Sequence, residues 1–188
     1  MSRTVKYMLG GFRRYRRDEK GAAAVEFALV VTLLTVPVLN VIDLAQYAWD
    51  RMQLDNAAQV AAQAAWATCA APSNHPATPN SYQNCTGMPA AVTQAVQSTS
   101  LGTRVTVSST VENYYCLNTS TNTLVVVGNF PTSKPANCAA GGIGGQASDV
   151  PGDYIQITAS YTYTPIFPAV SLASALASPI TRTAWMRL

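Results

Sequence analysis

From Ala22 to Ile42 the chain runs for 21 residues in which Glu26 is the only charge, and the apolar positions form no stripe. Val25, Phe27, Ala28, Leu29, Val30, Val31, Leu33, Leu34, Val36, Val38 and Leu39 go all the way round a helix, where a core helix of a soluble protein keeps a polar face at period 3.6. At 1.5 Å per residue the segment is about 31 Å long, one bilayer core, so the pattern predicts a membrane-spanning helix. From Asp43 to Ala71 there is no Gly or Pro, and the pattern turns amphipathic. Asp43, Asp50, Arg51, Asp55, Asn56, Gln59 and Gln63 supply a wet side, while Leu44, Tyr47, Leu54, Ala58, Ala61, Ala65 and Thr68 recur at steps of three and four, broken at Arg51. One helix is therefore expected over both stretches, its second half lying on a folded domain and its Ala-rich faces permitting close helix approach. Pro37 removes a backbone donor and predicts a kink.

After Ala71 the composition shifts to turn formers. Pro72 to Gly87 reads as loop, and a short helix opens at Met88-Pro89 with proline in its first turn and runs to Leu101-Gly102. Strand patterns follow over Arg104–Val111, Thr123–Val127 and Tyr154–Thr164, the last the clearest: Ile155, Ile157, Ala159, Tyr161 and Tyr163 alternate with Gln156, Thr158, Ser160 and Thr162. Ala139 to Gly152 is a Gly-rich connection and Ile180 to Arg187 a closing strand. Phe167 to Ile180 is apolar but only 14 residues long, too short to span, and reads as core or interface. The expected class is α+β, one long N-terminal helix packed on a small antiparallel sheet. The expected divisions are 1–21 as a basic leader, 22–42 as the span, 43–71 as its amphipathic continuation and 72–188 as an α+β domain.

Charge sets the topology. Arg3, Lys6, Arg13, Arg14, Arg16, Arg17 and Lys20 all precede the span, so residues 1–20 carry +5 and residues 21–188 carry −2. A short basic flank stays cytoplasmic, which places the 146 residues after Ile42 outside. The basic overall balance thus belongs to the leader, and an acidic remainder argues against nucleic-acid binding, which depends on Lys and Arg at phosphates. Cys69, Cys85, Cys116 and Cys138 all follow the span, even in number, as expected of an oxidising compartment. Of three possible connectivities the nearest-neighbour one, Cys69 with Cys85 and Cys116 with Cys138, closes one loop-like stretch with each bond. The spacing contains no CxxC pair, which disfavours a zinc site, and no metal or cofactor is expected.

Chemistry for catalysis is sparse. His75, the only histidine, lies in a Pro/Asn loop. Outside the helix the acids are Glu112, Asp149 and Asp153, and the last two flank Pro151-Gly152 as turn residues rather than as an acid/base pair. There is no GxSxG, P-loop or HExxH motif. The chain is not expected to be an enzyme. Nor does an ordinary secretory signal fit, because the apolar region is too long and Val36–Leu44 is bulky where a small-x-small site should be.

The run RRDEKGAAAVEFALVVTLL, followed by the polar face of QYAWDRMQLDNAAQVAAQAA, resembles type IV pilin-like precursors, and most closely the TadE/TadF-like pseudopilins of tight-adherence pili. The resemblance covers about residues 13–66. It implies a cut by a prepilin peptidase on the cytoplasmic side after Gly21, leaving Ala22 as the new first residue and Glu26 as the fifth-position glutamate, followed by aromatic Phe27. It further implies a pilin-like fold and a minor structural or priming subunit, since the bulk pilin of that family is much shorter. The implied setting is the inner membrane, with other pilins and the pilus assembly platform as partners. The alternative is an uncleaved, permanently anchored surface-binding protein. The resemblance also gives Glu26 a partner. An ionised carboxylate at the centre of an apolar span costs roughly 2.5 to 3.5 kcal/mol on insertion scales, and less near an end. The α-ammonium released on Ala22 lies one turn away in cis, or reaches Glu26 from a neighbouring subunit, and at about 4 Å with an effective dielectric near 20 the attraction is about 4 kcal/mol. A mere preference of Glu26 for a helix N-terminus would be worth only about 0.3 to 1 kcal/mol.

Overall fold

A computed structural model of the chain describes residues 19–70, 85–129, 132, 134–141, 148–176 and 178–188. The basic residues up to Arg17, His75 with the rest of 71–84, and the glycines of 142–147 lie outside the described residues. The fold is α+β: a long apolar helix and a four-stranded antiparallel sheet. Helix α1 spans Glu19–Ala70 and runs on through Pro37. It is long and apolar enough to cross a membrane, and side chains such as Val25, Phe27, Leu29 and Leu33 are exposed. A second helix, α2, spans Met88–Val96, and the strands are β1 (Val105–Asn118), β2 (Thr123–Asn129), β3 (Gly152–Tyr161) and β4 (Ile180–Arg187), in the order β2-β1-β3-β4. The chain divides into two compact units, one of residues up to Ala45 with Pro165–Ser174, the other of Gln46–Thr164 with Ala175–Leu188.

In the larger unit α1 lies on the sheet through a seam of small residues. Leu54, Ala57, Ala58, Ala61, Ala62 and Ala65 are almost completely buried. On β3 the inward set is Ile155, Ile157, Ala159 and Tyr161, the alternation expected from the sequence. Contacts across this seam include the Arg182–Asp55 ion pair at 3.0 Å and the edge-to-face packing of Tyr47 on Tyr163 at 5.2 Å. Tyr163 lies past the end of β3 yet keeps its inward phase. Burial along α1 also departs from expectation: Leu44 is exposed, whereas Asp43, in the smaller unit, and Asp50, in the larger, both assigned to the wet side, are 0% and 3% exposed. Both have partners in the fold that helical periodicity cannot reveal.

β1 and α2 depart most from the sequence pattern, and β3 runs Gly152–Tyr161 rather than Tyr154–Thr164. β1 continues seven residues beyond Val111, because Tyr114, Tyr115 and Cys116 are buried in succession and period-2 alternation is lost. Tyr115 packs edge-to-face on Tyr154 and Trp185 at 5.7 and 5.1 Å, Cys116 is bonded to Cys138, and a register shift against β2 falls between Tyr114 and Tyr115. α2 stops at Val96 rather than Leu101, where Ser98 Oγ donates to the Ala95 carbonyl and competes with the helix. The β1–β2 turn places Asn122 at φ 54°, a conformation asparagine tolerates well. Disulfides join Cys69 to Cys85 and Cys116 to Cys138, with Cα separations of 5.6 and 5.7 Å. The first ties the end of α1 to the entry of α2. Each closes a loop short enough to contribute about 3 kcal/mol by the chain-entropy argument.

Candidate functional site

Gly21, Ala22, Glu26 and Phe27 all lie on α1. Residues 22 and 26 differ by four and share a face, with about 6 Å of rise between them. Glu26 is exposed, as is Phe27 at 70%. An exposed carboxylate on an uncovered apolar helix presents its charge outward, to whatever group comes alongside.

The carboxylate at the other end of the apolar stretch is arranged in the opposite way. Asp43 is fully buried, and its two oxygens accept the backbone N–H groups of Ile166 at 3.0 Å and Phe167 at 3.3 Å. One turn earlier, Asn40 donates through Nδ2 to the Val170 carbonyl at 3.0 Å and to the Val36 carbonyl at 2.9 Å, while its Oδ1 accepts the Leu172 N–H at 2.6 Å. Asn40 and Asp43 thus form a polar bracket that holds the segment Pro165–Ser174 against the helix. Sequence reasoning missed the bracket. The available signal was a polar pair at i, i+3 beside the apolar run, together with an apolar segment too short to span. Of the Phe167–Ile180 stretch, Ser171, Ala173 and Ile180 are buried while Val170 and Leu172 are exposed, so much of it is surface rather than core.

Asp50 is buried in the helix–sheet seam, hydrogen-bonded to Tyr161, and Gln46 Nε2 donates to its Oδ1 at 3.4 Å. Burial raises its pKa, while Tyr161 and the Arg104 charge oppose the shift. Arg104 donates through Nη1 to the Tyr161 hydroxyl at 3.1 Å and lies over that ring. The group joins α1 to β3.

Asp149 and Asp153 are not partners. Asp149 is exposed, and its carbonyl accepts the Cys138 N–H, whereas Asp153 is affected by Glu112 on the neighbouring strand. Burial, then the Glu112 charge, push Asp153 up to about 7 against the opposing pull of Lys134. The folded chain therefore holds this proton more tightly than the unfolded chain, where aspartate titrates near 4. The protonated group's contribution to stability is complete below about pH 4 and declines as pH rises to about 7. Urea unfolding of the detergent-solubilised protein is expected to show this fall, and Asp153→Asn to flatten that part of the profile and gain stability at pH 8. Identical pH profiles for the two proteins would contradict the assignment.

Among the described residues no group of three His, Cys, Asp or Glu side chains could hold a metal ion. The family model described as TadE-like protein matches residues 21–63, the stretch that contains Gly21, Glu26, Asn40 and every α1 residue of the helix–sheet seam named above except Ala65. No curated protein and no solved structure matches the chain.

Proposed function

We propose that this chain is the precursor of a minor pseudopilin, a structural or priming subunit of a tight-adherence pilus rather than an enzyme. A prepilin peptidase removes residues 1–21 on the cytoplasmic face of the inner membrane. Residues 22–42 then hold the subunit in the bilayer, and residues 72–188 fold outside, where both disulfides form. Other pilin subunits and the inner-membrane assembly platform are its partners. The observation that carries the reading is the contrast between the two carboxylates of one helix: Asp43 is saturated within its own chain, whereas Glu26 is exposed, five residues after Gly21. The similarity to TadE-like proteins over residues 21–63 supports it.

The test is the amino terminus of the mature protein. Cells with the peptidase should yield a chain beginning at Ala22, and cells without it a chain that retains the leader. An intact Met1 or Ser2 terminus in both would mean an uncleaved anchor and reject the pseudopilin reading.

A further inference from the structure

The segment Pro165–Ser174 carries apolar side chains where a soluble loop would carry polar ones. Ile166, Val170 and Leu172 are 54%, 42% and 68% exposed, and the chain has no charged residue from 154 to 181. The backbone supports this exposure: Asp43 takes the N–H groups of Ile166 and Phe167, and Asn40 takes the Val170 carbonyl and the Leu172 N–H. Ser171 Oγ accepts the N–H of Ala173, and the segment closes in a short 3-10 turn at Leu172–Ala175. Six of its backbone N–H groups, those of Ile166, Phe167, Val170, Leu172, Ala173 and Ser174, are thus bonded within the chain, while the side chains of Ile166, Val170 and Leu172 are exposed. That is the division a lipid environment requires.

We infer that Pro165–Ser174 is a second membrane contact, an apolar wedge seated in the outer interfacial layer of the bilayer beside the span. The inference rests on α1 crossing the membrane. Geometry then leaves little choice of occupant. The wedge is bonded to residues 40 and 43, at the last turn of the apolar stretch, so a bilayer that covers α1 as far as Ile42 must reach it. On the helix beside Asn40 and Asp43, Val38, Val41 and Ile42 are exposed as well. The hydrogen bonds that the wedge supplies to Asn40 and Asp43 offset part of the cost of burying them at that level. A span alone sets neither its depth nor its rotation, whereas a wedge on one face at one height limits both. The helix face bearing Asn40 and Asp43 is covered by the wedge, and the remaining faces of the span are left for lipid or for other helices.

The full chain is reconstituted in phosphatidylcholine–phosphatidylglycerol vesicles with a single environment-sensitive fluorophore on an added cysteine: Leu172→Cys, Ile166→Cys or, within the span, Leu33→Cys. All three residues are exposed, so each label is accommodated without repacking. Nitroxides carried on lipid near the headgroup or at the acyl-chain end, and iodide in the buffer, report where each label lies. The expected result is loss of Leu172→Cys and Ile166→Cys fluorescence to the shallow nitroxide, loss of Leu33→Cys fluorescence to the deep one, and little loss of any to iodide. If the Leu33→Cys label is lipid-quenched while the two wedge labels are quenched by iodide, the wedge is in water and the inference fails although the span stands. If the wedge labels are shielded from both quenchers, protein covers them and the inference also fails. If no label is quenched by lipid, α1 does not span, and both the membrane reading and the wedge fall together.

Discussion

Glu26→Ala is expected to insert into the membrane, to be cut after Gly21 and then to stay out of pili. The timing of the charge explains the pattern. Before assembly the precursor needs only an apolar anchor, and alanine makes the anchor more apolar, so insertion is unharmed. In the proposed filament the subunit would bury the α-ammonium of Ala22 among other helices. Removing one partner of a buried ion pair typically costs about 3 to 5 kcal/mol, more than a hundredfold in an equilibrium. The exposure of Glu26 agrees with a partner that arrives from outside the chain, or is created by the cut itself. Glu26→Asp, with the same charge and a shorter reach, is expected to retain part of the function. Membrane and sheared-pilus fractions from the two variants and wild type decide the matter. Normal piliation with alanine would reduce Glu26 to a helix-terminus residue.

Asp43→Ala is expected to release the segment Pro165–Ser174 from α1 without unfolding the sheet. Two backbone N–H groups, those of Ile166 and Phe167, lose a charged acceptor and gain none. An unsatisfied buried donor costs about 1 to 3 kcal/mol, so the pair amounts to about 2 to 6 kcal/mol. Amide exchange at Ile166 and Phe167 should accelerate by about a hundredfold or more for a loss of about 3 kcal/mol, while amides of β3 keep their protection. Asp43→Asn, which can accept only one of the two bonds through its amide oxygen, should fall between. Unchanged exchange at both amides in the alanine variant would show that the bracket does not hold the segment.

Much of this architecture was legible because it rests on local periodicity. The length of 22–42, with Glu26 its only charge, specifies a helix long and apolar enough to cross a membrane. The Ala-rich repeat from Ala57 to Ala65 presents one side regardless of what lies on it. Alternation along Ile155–Tyr161 specifies a strand with one face buried. Two cysteine pairs close in sequence meet as neighbours. Where the chain is covered on both faces, as at Tyr114–Cys116, the alternation that marks a strand is absent, and β1 read as half its length.

The sequence by itself determined the long helix, the alternating strand β3 and the position of Glu26 five residues beyond Gly21, since each follows from spacing along the backbone. Only the tertiary structure decided the fate of the other carboxylates. Asp43 and Asp50 look like solvated residues in any helical projection, and both are buried, because residues about 120 and 110 positions later in the chain, Ile166 and Tyr161, come to meet them. A charge inside a fold is tolerated when the hydrogen bonds that replace water come with it. Those bonds come from distant backbone and from another side chain, and no local pattern records them.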